Sequence, residues 1–428
     1  MKILNELKLI LTDEKFISKS RLLLSSFTRV RRLPFQAIVL FIIQKSNSSL
    51  PACLHNFFDN HERVPPTKSA FSLARASLCF KVFKRLNLMF CSLFYREANA
   101  KKWKGHRILA IDGSTLRLPN HDSLAKKFSK HSFGAKKSVE RWMSRVSLLY
   151  DVMNEVIIDA QMESFNTSEA DLCKKHLGFL RKGDLVVFDR YYASHYLFSV
   201  LTHKKVDFLF RMRDHSWNCV KEFLASNLSE QIVEVTSYQY SKVTKSIPAN
   251  VTNKVCIRLI KQRSKGGKIK VFATSLLDTS KYKRTAICNL YKERWEVEEA
   301  YKTLKARLDV IHFSGKTVHA VQQDFYANVF LISMTSILKH GIKPKLKRKR
   351  NTENKEKRVP KINNSYAITQ TKTLIKKLFY SFEDLEKWLL QFIKHTKSAI
   401  EYSRKGQSNP RKTDKGHDRV FAMNYKTI

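Results

Sequence analysis

The sequence predicts an α/β protein: a sheet-built core between two helical ends, with a strand-rich stretch set inside the core. Three observations carry this. Residues 107–210 alternate short apolar runs with helical stretches. Residues 216–275 alternate in strand fashion, with no helix of useful length among them. Residues 1–103 and 371–398 instead repeat their apolar side chains at helical spacing.

Taken in order, the N-terminal helices come first. Leu73, Ala76, Phe80 and Phe83 recur at helical spacing, and Thr67 or Ser69 can cap that helix after the Pro65-Pro66 break. Lys68, Arg75, Lys81, Lys84 and Arg85 lie among the apolar positions. A helix-turn-helix ending here and a plain bundle with a solvated basic face are both compatible with that pattern. From about residue 107 strands take over. The apolar run 107–111 ends in Asp112-Gly113-Ser114, and runs 146–150 and 156–160 flank Asp151-Val152-Met153-Asn154 as a hairpin. A helix over 168–180 leads through a Gly183-Asp184 turn to a buried strand, 185–188, that ends at Asp189. A helix over 193–203 and a strand at 208–210 complete the series. Strand, hairpin, helix, strand, helix, strand is the order expected of a ribonuclease-H-like α/β core.

Runs 232–235, 254–259 and 268–272 form the strand-rich stretch, read as a β-rich insertion lodged in the core, and a long helix over 284–308 follows it. Residues 343–361 are nearly all charge with two prolines and read as a linker or flexible arm. The expected organisation is an N-terminal helical, DNA-binding domain (1–103), a first part of the core (104–215) and the β-rich insertion (216–275). The second part of the core (276–340), a basic linker (341–370) and a C-terminal helical region suited to dimerisation (371–428) complete it. No internal repeat is present.

Composition narrows the partner. A chain of 428 residues with 43% hydrophobic and 11% aromatic content is a folded globular protein with a sizeable core. Its 80 Lys+Arg against 37 Asp+Glu give a net charge of +43. So much like charge repels itself unless a polyanion neutralises it. Nucleic acid leads, because each phosphate contact releases a condensed counterion. An anionic membrane is the rival, but no single amphipathic helix carries the charge. Seven scattered cysteines without a CxxC or a Cys/His cluster point to reduced thiols, with neither zinc nor a disulfide framework. The N-terminus lacks the apolar core of a signal peptide, and runs 37–43 and 329–334 are too short to span a bilayer. The expected protein is soluble and cytoplasmic, without a membrane partner.

Phosphodiester chemistry uses paired divalent metals, and hard cations take oxygen ligands from Asp and Glu. In open α/β sheets functional groups sit at the carboxyl ends of strands. Asp112 and Asp189 each follow an apolar strand run. Either could alone be a turn-former or a helix cap; two on neighbouring strands favour a site. The segment from Tyr291 to Lys305 adds a third carboxylate. With Tyr291 as zero and ~100° per residue, Arg294 falls at ~300°, Glu298 at ~340° and Lys305 at ~320°. The apolar Val297, Ala300, Tyr301, Leu304 and Leu308 occupy roughly 180° to 280°, next to that arc. Glu293, Glu296 and Glu299 point elsewhere, at ~200°, ~140° and ~80°. Glu298 therefore sits at the edge of the buried face, in line with a Tyr, an Arg and a Lys. An amphipathic helix with ordinary i,i+4 charge pairs is the alternative.

The spacing Y-x2-R-x3-E-x6-K, met by Tyr291, Arg294, Glu298 and Lys305, resembles the signature of the insertion-sequence-four family of DDE transposases. AIDGSTLRLP around Asp112 and VVFDRYYAS around Asp189 are similar to the family's first and second carboxylate motifs. The resemblance covers roughly residues 107–308. It implies that Asp112, Asp189 and Glu298 are catalytic and bind two Mg²⁺ or Mn²⁺ ions. It implies that Tyr291, Arg294 and Lys305 hold phosphates near a transposon end, and that Arg190, Arg211 and Arg213 contact the same DNA. Double-stranded DNA, as inverted-repeat ends and target, would be the partner, with a homodimer in the synaptic complex. The implied activity is cut-and-paste transposition in a bacterial cytoplasm. A nuclease without strand transfer and a catalytically inactive, transposase-derived DNA-binding protein are the alternatives. Some members trap a flipped base on a tryptophan near the start of the insertion's last strand. Here Lys270 stands in that neighbourhood, and Trp217 is the insertion's only tryptophan.

Overall fold

Alternating side chains along a strand point to opposite faces, so a sheet with apolar residues at both parities must be covered on both sides. The central strands have that pattern. The fold is a computed structural model that describes residues 2–28, 33–45, 48–58, 64–133, 139–214, 217–236, 254–263, 267–344, 359–380 and 384–403. Its strands are β1 (Arg107–Arg117), β2 (Ser129–Phe133), β3 (Val139–Asp151), β4 (Val156–Ser164), β5 (Asp184–Phe188) and β6 (Asp207–Arg211). They continue with β7 (Glu230–Thr236), β8 (Lys254–Arg263) and β9 (Ile269–Thr274). These form one mixed sheet in the order β2-β3-β1-β5-β6-β9-β8-β7, with β4 also paired to β3. β1, β5 and β6 run parallel, and the other pairings are antiparallel.

Helices cover both faces. On one, Ile108, Ala110, Leu148, Leu185, Val187 and Phe272 belong to a core shared with the N-terminal helices α1 (Lys2–Thr12), α2 (Glu14–Ser20), α3 (Phe35–Gln44), α4 (Leu50–Phe58), α5 (Lys68–Ala76) and α6 (Lys81–Glu97), of which α6 packs on β4. On the other, Leu109, Ile111, Val186, Phe188, Phe208 and Phe210 meet α7 (Glu169–His176), α8 (His195–His203) and α9 (Asn218–Ala225). The first face also receives α10 (Arg284–Leu290), α11 (Trp295–Lys302) and α12 (Val318–Lys339). α12 is buried on almost every side, as a helix apolar all round must be. It packs on α6 and β4, and α13 (Asn364–Tyr380) and α14 (Leu385–Ser398) close the layer behind it. The protein is thus mixed α/β, with a large mixed sheet and helical N- and C-terminal regions.

Several local readings change. Thr67 caps α5 by accepting from Ala70 N–H, but the helix stops at Ala76 and buries Phe71 and Arg75, leaving Leu73 75% exposed. The proposed apolar stripe spanned a turn and was not one face. The stretch 216–275 does contain a helix, α9, whose Val220 and Phe223 are buried. Its periodicity was hidden by its short length. The strands beyond it join the core directly: β9 pairs with β6 and extends the central sheet. Of the basic stretch 341–370, the described residues include β10 (Val359–Ile362), paired with β11 (Ile400–Ser403), and the start of α13; residues 345–358 lie outside the described ones. All seven cysteines are free thiols. Among the described residues, no helix is long and apolar enough to cross a membrane.

Candidate active site

Two aspartates emerge side by side because two parallel strands end there. β1 and β5 pair over residues 107–110 and 184–187. Asp112 lies just past that pairing, and Asp189 directly follows β5. β1 itself does not end at Asp112. It runs on to Arg117 because β3 continues to supply partners, Asp112 opposite Leu148 and Arg117 opposite Met143. A strand stops where its hydrogen-bonding neighbour stops, and the apolar run alone did not show this. Asp112 shares the parity of Ile108 and Ala110, so it faces the layer that carries α11.

The segment 284–307 is helical throughout but not one α-helix. A 3₁₀ turn, Tyr291–Arg294, separates α10 from α11, and a π turn, Thr303–Arg307, follows α11. The 3₁₀ turn advances each residue by more than 100° and the π turn by less, so the two departures offset each other. Val297, Ala300 and Leu304 stay buried and pin the segment to the core. Upstream, Arg258 on β8 donates to the carbonyls of Leu276 and Tyr282 and fixes the approach to α10.

Arg294 lies between two of the carboxylates. Its Nη2 donates to Glu298 Oε1 at 2.7 Å and its Nη1 lies 3.5 Å from Asp112 Oδ2. Lys305 Nζ donates to Ser114 Oγ at 2.7 Å. Tyr291 packs its ring on Phe272, 4.7 Å between centroids, and feels the charges of Arg294, Arg211 and Asp189. Burial draws the Lys305 ammonium below its ordinary range. Asp112 is raised to about 6, first by burial and then by the neighbouring charges of Asp189 and Glu298; Arg294 and the Gly113 N–H oppose this. Crowded carboxylates of this kind are what a divalent cation relieves, and three hard oxygen donors suit Mg²⁺ or Mn²⁺. Among the described residues, no three His, Cys, Asp or Glu side chains are already drawn together as a metal cage. The guanidinium of Arg294 is the counter-charge instead.

Around Asp189 the loop is tied locally: Tyr191 N–H donates to Asp189 Oδ1 at 2.7 Å. Arg190 and Arg213 are exposed and Arg211 is half-buried. Arg213 lies over the Tyr191 ring at 5.3 Å. The structure therefore gathers Tyr291, Arg294, Glu298, Asp112, Asp189 and Arg211 at one place, with Lys305 alongside on Ser114 and Arg213 on the flanking loop. Trp217 packs against Phe198, 5.3 Å between ring centroids, within the second core, and Lys270 is half-buried on β9.

Sequence reasoning missed four neighbours. Glu169, paired with Arg145 at 3.0 Å, lies so close to Gly113 that a Cβ there would meet its Cδ at 2.7 Å. Tyr301, Ser147 and His176 stand behind Asp112. Tyr301 had been counted only as part of the apolar stripe, and nothing in the local pattern of the other three marks them.

The model of the transposase DDE domain family matches residues 103–334, more than half of this 428-residue chain. The chain belongs to that family. Its transposase DDE domain contains all three carboxylates and every basic or aromatic neighbour named with them. Transposase DDE domains are phosphoryl-transfer domains that use divalent metal ions. A cryo-EM structure of the piggyBac transposase synaptic complex with hairpin DNA is similar over 84% of this chain and 74% of that one, at 11% identity and a TM-score of 0.44. No curated protein matches the chain.

Proposed function

We propose that the chain is a DNA transposase of the insertion-sequence-four type, built on a ribonuclease-H-like core. It would cleave at the ends of its element and transfer the freed 3′-hydroxyl to target DNA. The observation that carries this is that Arg294 bridges Glu298 and Asp112 while Asp112 also feels the charge of Asp189, three carboxylates from elements far apart in sequence.

Asp112, Asp189 and Glu298 would hold two Mg²⁺ or Mn²⁺ ions. Ions bound there supply Lewis acidity and a template for in-line displacement. The chain's own cations do the rest. Arg294 is largely buried, so its charge acts on a phosphoryl oxygen through a medium less polar than water. Tyr291 and Lys305 flank it and orient the end of the element. Arg190, Arg211 and Arg213 extend the basic edge along the duplex, and their contacts to phosphate position the DNA without reading its sequence. A homodimer would present two such sites to two ends.

The test uses the full chain, DNA ends bearing whatever inverted repeats are found beside its gene, a target plasmid and Mg²⁺. Joined products support transposition, whereas hydrolysis without joining supports a nuclease. Binding of the ends without cleavage by the wild type supports an inactive derivative. Asp112→Ala, Asp189→Ala and Glu298→Ala should abolish cleavage and keep end binding; Mg²⁺-dependent nicking by Glu298→Ala would remove Glu298 from the site.

A further inference from the structure

The main-chain carbonyl of Asp112 is gripped by two hydroxyls from different elements. Tyr301 Oη, one turn beyond Glu298, donates to it at 2.8 Å, and Ser147 Oγ on β3 donates at 3.2 Å. Tyr301 is 6% exposed, so its hydroxyl has been taken out of water to make this bond. Behind Ser147 stands a fully buried His176, with Nε2 3.0 Å from Ser147 Oγ and Nδ1 2.7 Å from Asp159 Oδ2.

The two grips are not equivalent. Ser147 has one proton to give, and it reaches Asp112 only when His176 Nε2 carries a proton of its own. The second acceptor near Tyr301, the Val146 carbonyl, is 3.5 Å away and competes weakly. Tyr301 is thus the unconditional half of the clamp. Glu298 and Tyr301 are three residues apart, so they lie on one side of the same helix. One hydrogen bond therefore ties the helix of the third carboxylate to the backbone of the first. Two further links, Arg294 to Asp112 and Lys305 to Ser114, run through long side chains for which phosphates would compete.

We propose that Tyr301 is a positioning residue whose hydroxyl sets the spacing at which Asp112 and Glu298 share a divalent cation. This rests on the metal-binding reading of those carboxylates. Groups that orient metal ligands from behind typically contribute 10–100-fold in metal affinity. Tyr301→Phe keeps the ring in the core and removes only the oxygen.

The experiment titrates the full-length protein with Mn²⁺ alone, followed by electron paramagnetic resonance and calorimetry, with the melting temperature measured alongside. Tyr301→Phe should bind Mn²⁺ at least about tenfold more weakly while melting close to the wild type. Raising Mn²⁺ should restore its nicking, and should not restore that of Asp112→Asn. Unchanged Mn²⁺ affinity in Tyr301→Phe overturns the proposal, and so does a loss of affinity that merely follows a large drop in melting temperature. A wild type with no saturable Mn²⁺ site, or one unaffected by Asp112→Asn, overturns the metal reading itself and is distinguishable from either.

Discussion

Replacing Asp324 by alanine should lower the stability of the protein by a large amount that depends on pH. Asp324, on α12, is 3% exposed, and it accepts from Arg75 Nη2 at 2.8 Å and from Ser314 N–H at 2.6 Å, with Lys45 Nζ at 3.6 Å. Arg75 also donates to Gln323 Oε1 at 2.6 Å and Ser314 Oγ at 2.6 Å. The cluster therefore ties α5 and the end of α3 to α12 and to the turn that follows the Glu298 helix. Removing one partner of a buried ion pair costs about 3–5 kcal/mol, because the other charges stay behind unpaired. At ~2 °C per kcal/mol for a large domain, melting should fall by roughly 6–10 °C at neutral pH. Burial alone would raise the Asp324 carboxyl, but Arg75 and Lys45 outweigh it and hold it below its ordinary range. A depressed carboxylate stabilises the fold above its unfolded pKa of about 3.9 and loses that contribution as pH falls through the folded value. The gap between wild type and variant should thus be full above about pH 5 and close in more acid solution. Differential scanning fluorimetry across pH measures both. A variant melting within about 1 °C of the wild type at neutral pH would refute the reasoning. Replacing all three by apolar residues of similar volume should recover most of the loss.

Two other substitutions probe the candidate site directly. Gly113→Ala places a Cβ 2.7 Å from Cδ of Glu169, a flexible, partly exposed side chain that must swing off Arg145, so it should destabilise by about 1 kcal/mol or less and lower nicking; adding Glu169→Ala should relieve the clash. A double variant no more stable than Gly113→Ala would show that the clash lies elsewhere. Arg213→Ala should weaken end binding for every sequence alike and reduce the slope of log affinity against log salt by about 0.9, as for one phosphate contact. An unchanged slope in a fluorescence-anisotropy titration would remove Arg213 from the DNA surface.

Much of the core was legible because strand alternation and turn residues act locally. The hairpin, the buried strand before Asp189 and the capped helix after Ser168 are all present. Besides a short helix and a stripe broken by a turn, what stayed hidden is structure that depends on a distant partner. β1 continues past Asp112 because β3 lies beside it, and β9 joins the main sheet because β6 offers a free edge. Neither partner can be seen from the strand's own residues.

The site shows the same division from another side. Phase along the 284–307 segment singled out Glu298 although the assumed ideal helix does not exist, since Arg294 and Glu298 stand four residues apart across regular α-helix and the tight and wide turns on either side offset each other between Tyr291 and Lys305. That cancellation preserves which side chains face Asp112; it does not fix how far away they stand. Distance is set by contacts to the strand, and here the informative atom is a hydroxyl on a residue that counted in the sequence only as apolar surface. A Phe at position 301 would have satisfied every periodicity argument equally well. The oxygen of Tyr301 is therefore what distinguishes a helix that is merely packed on β1 from one whose carboxylate is held in register with Asp112.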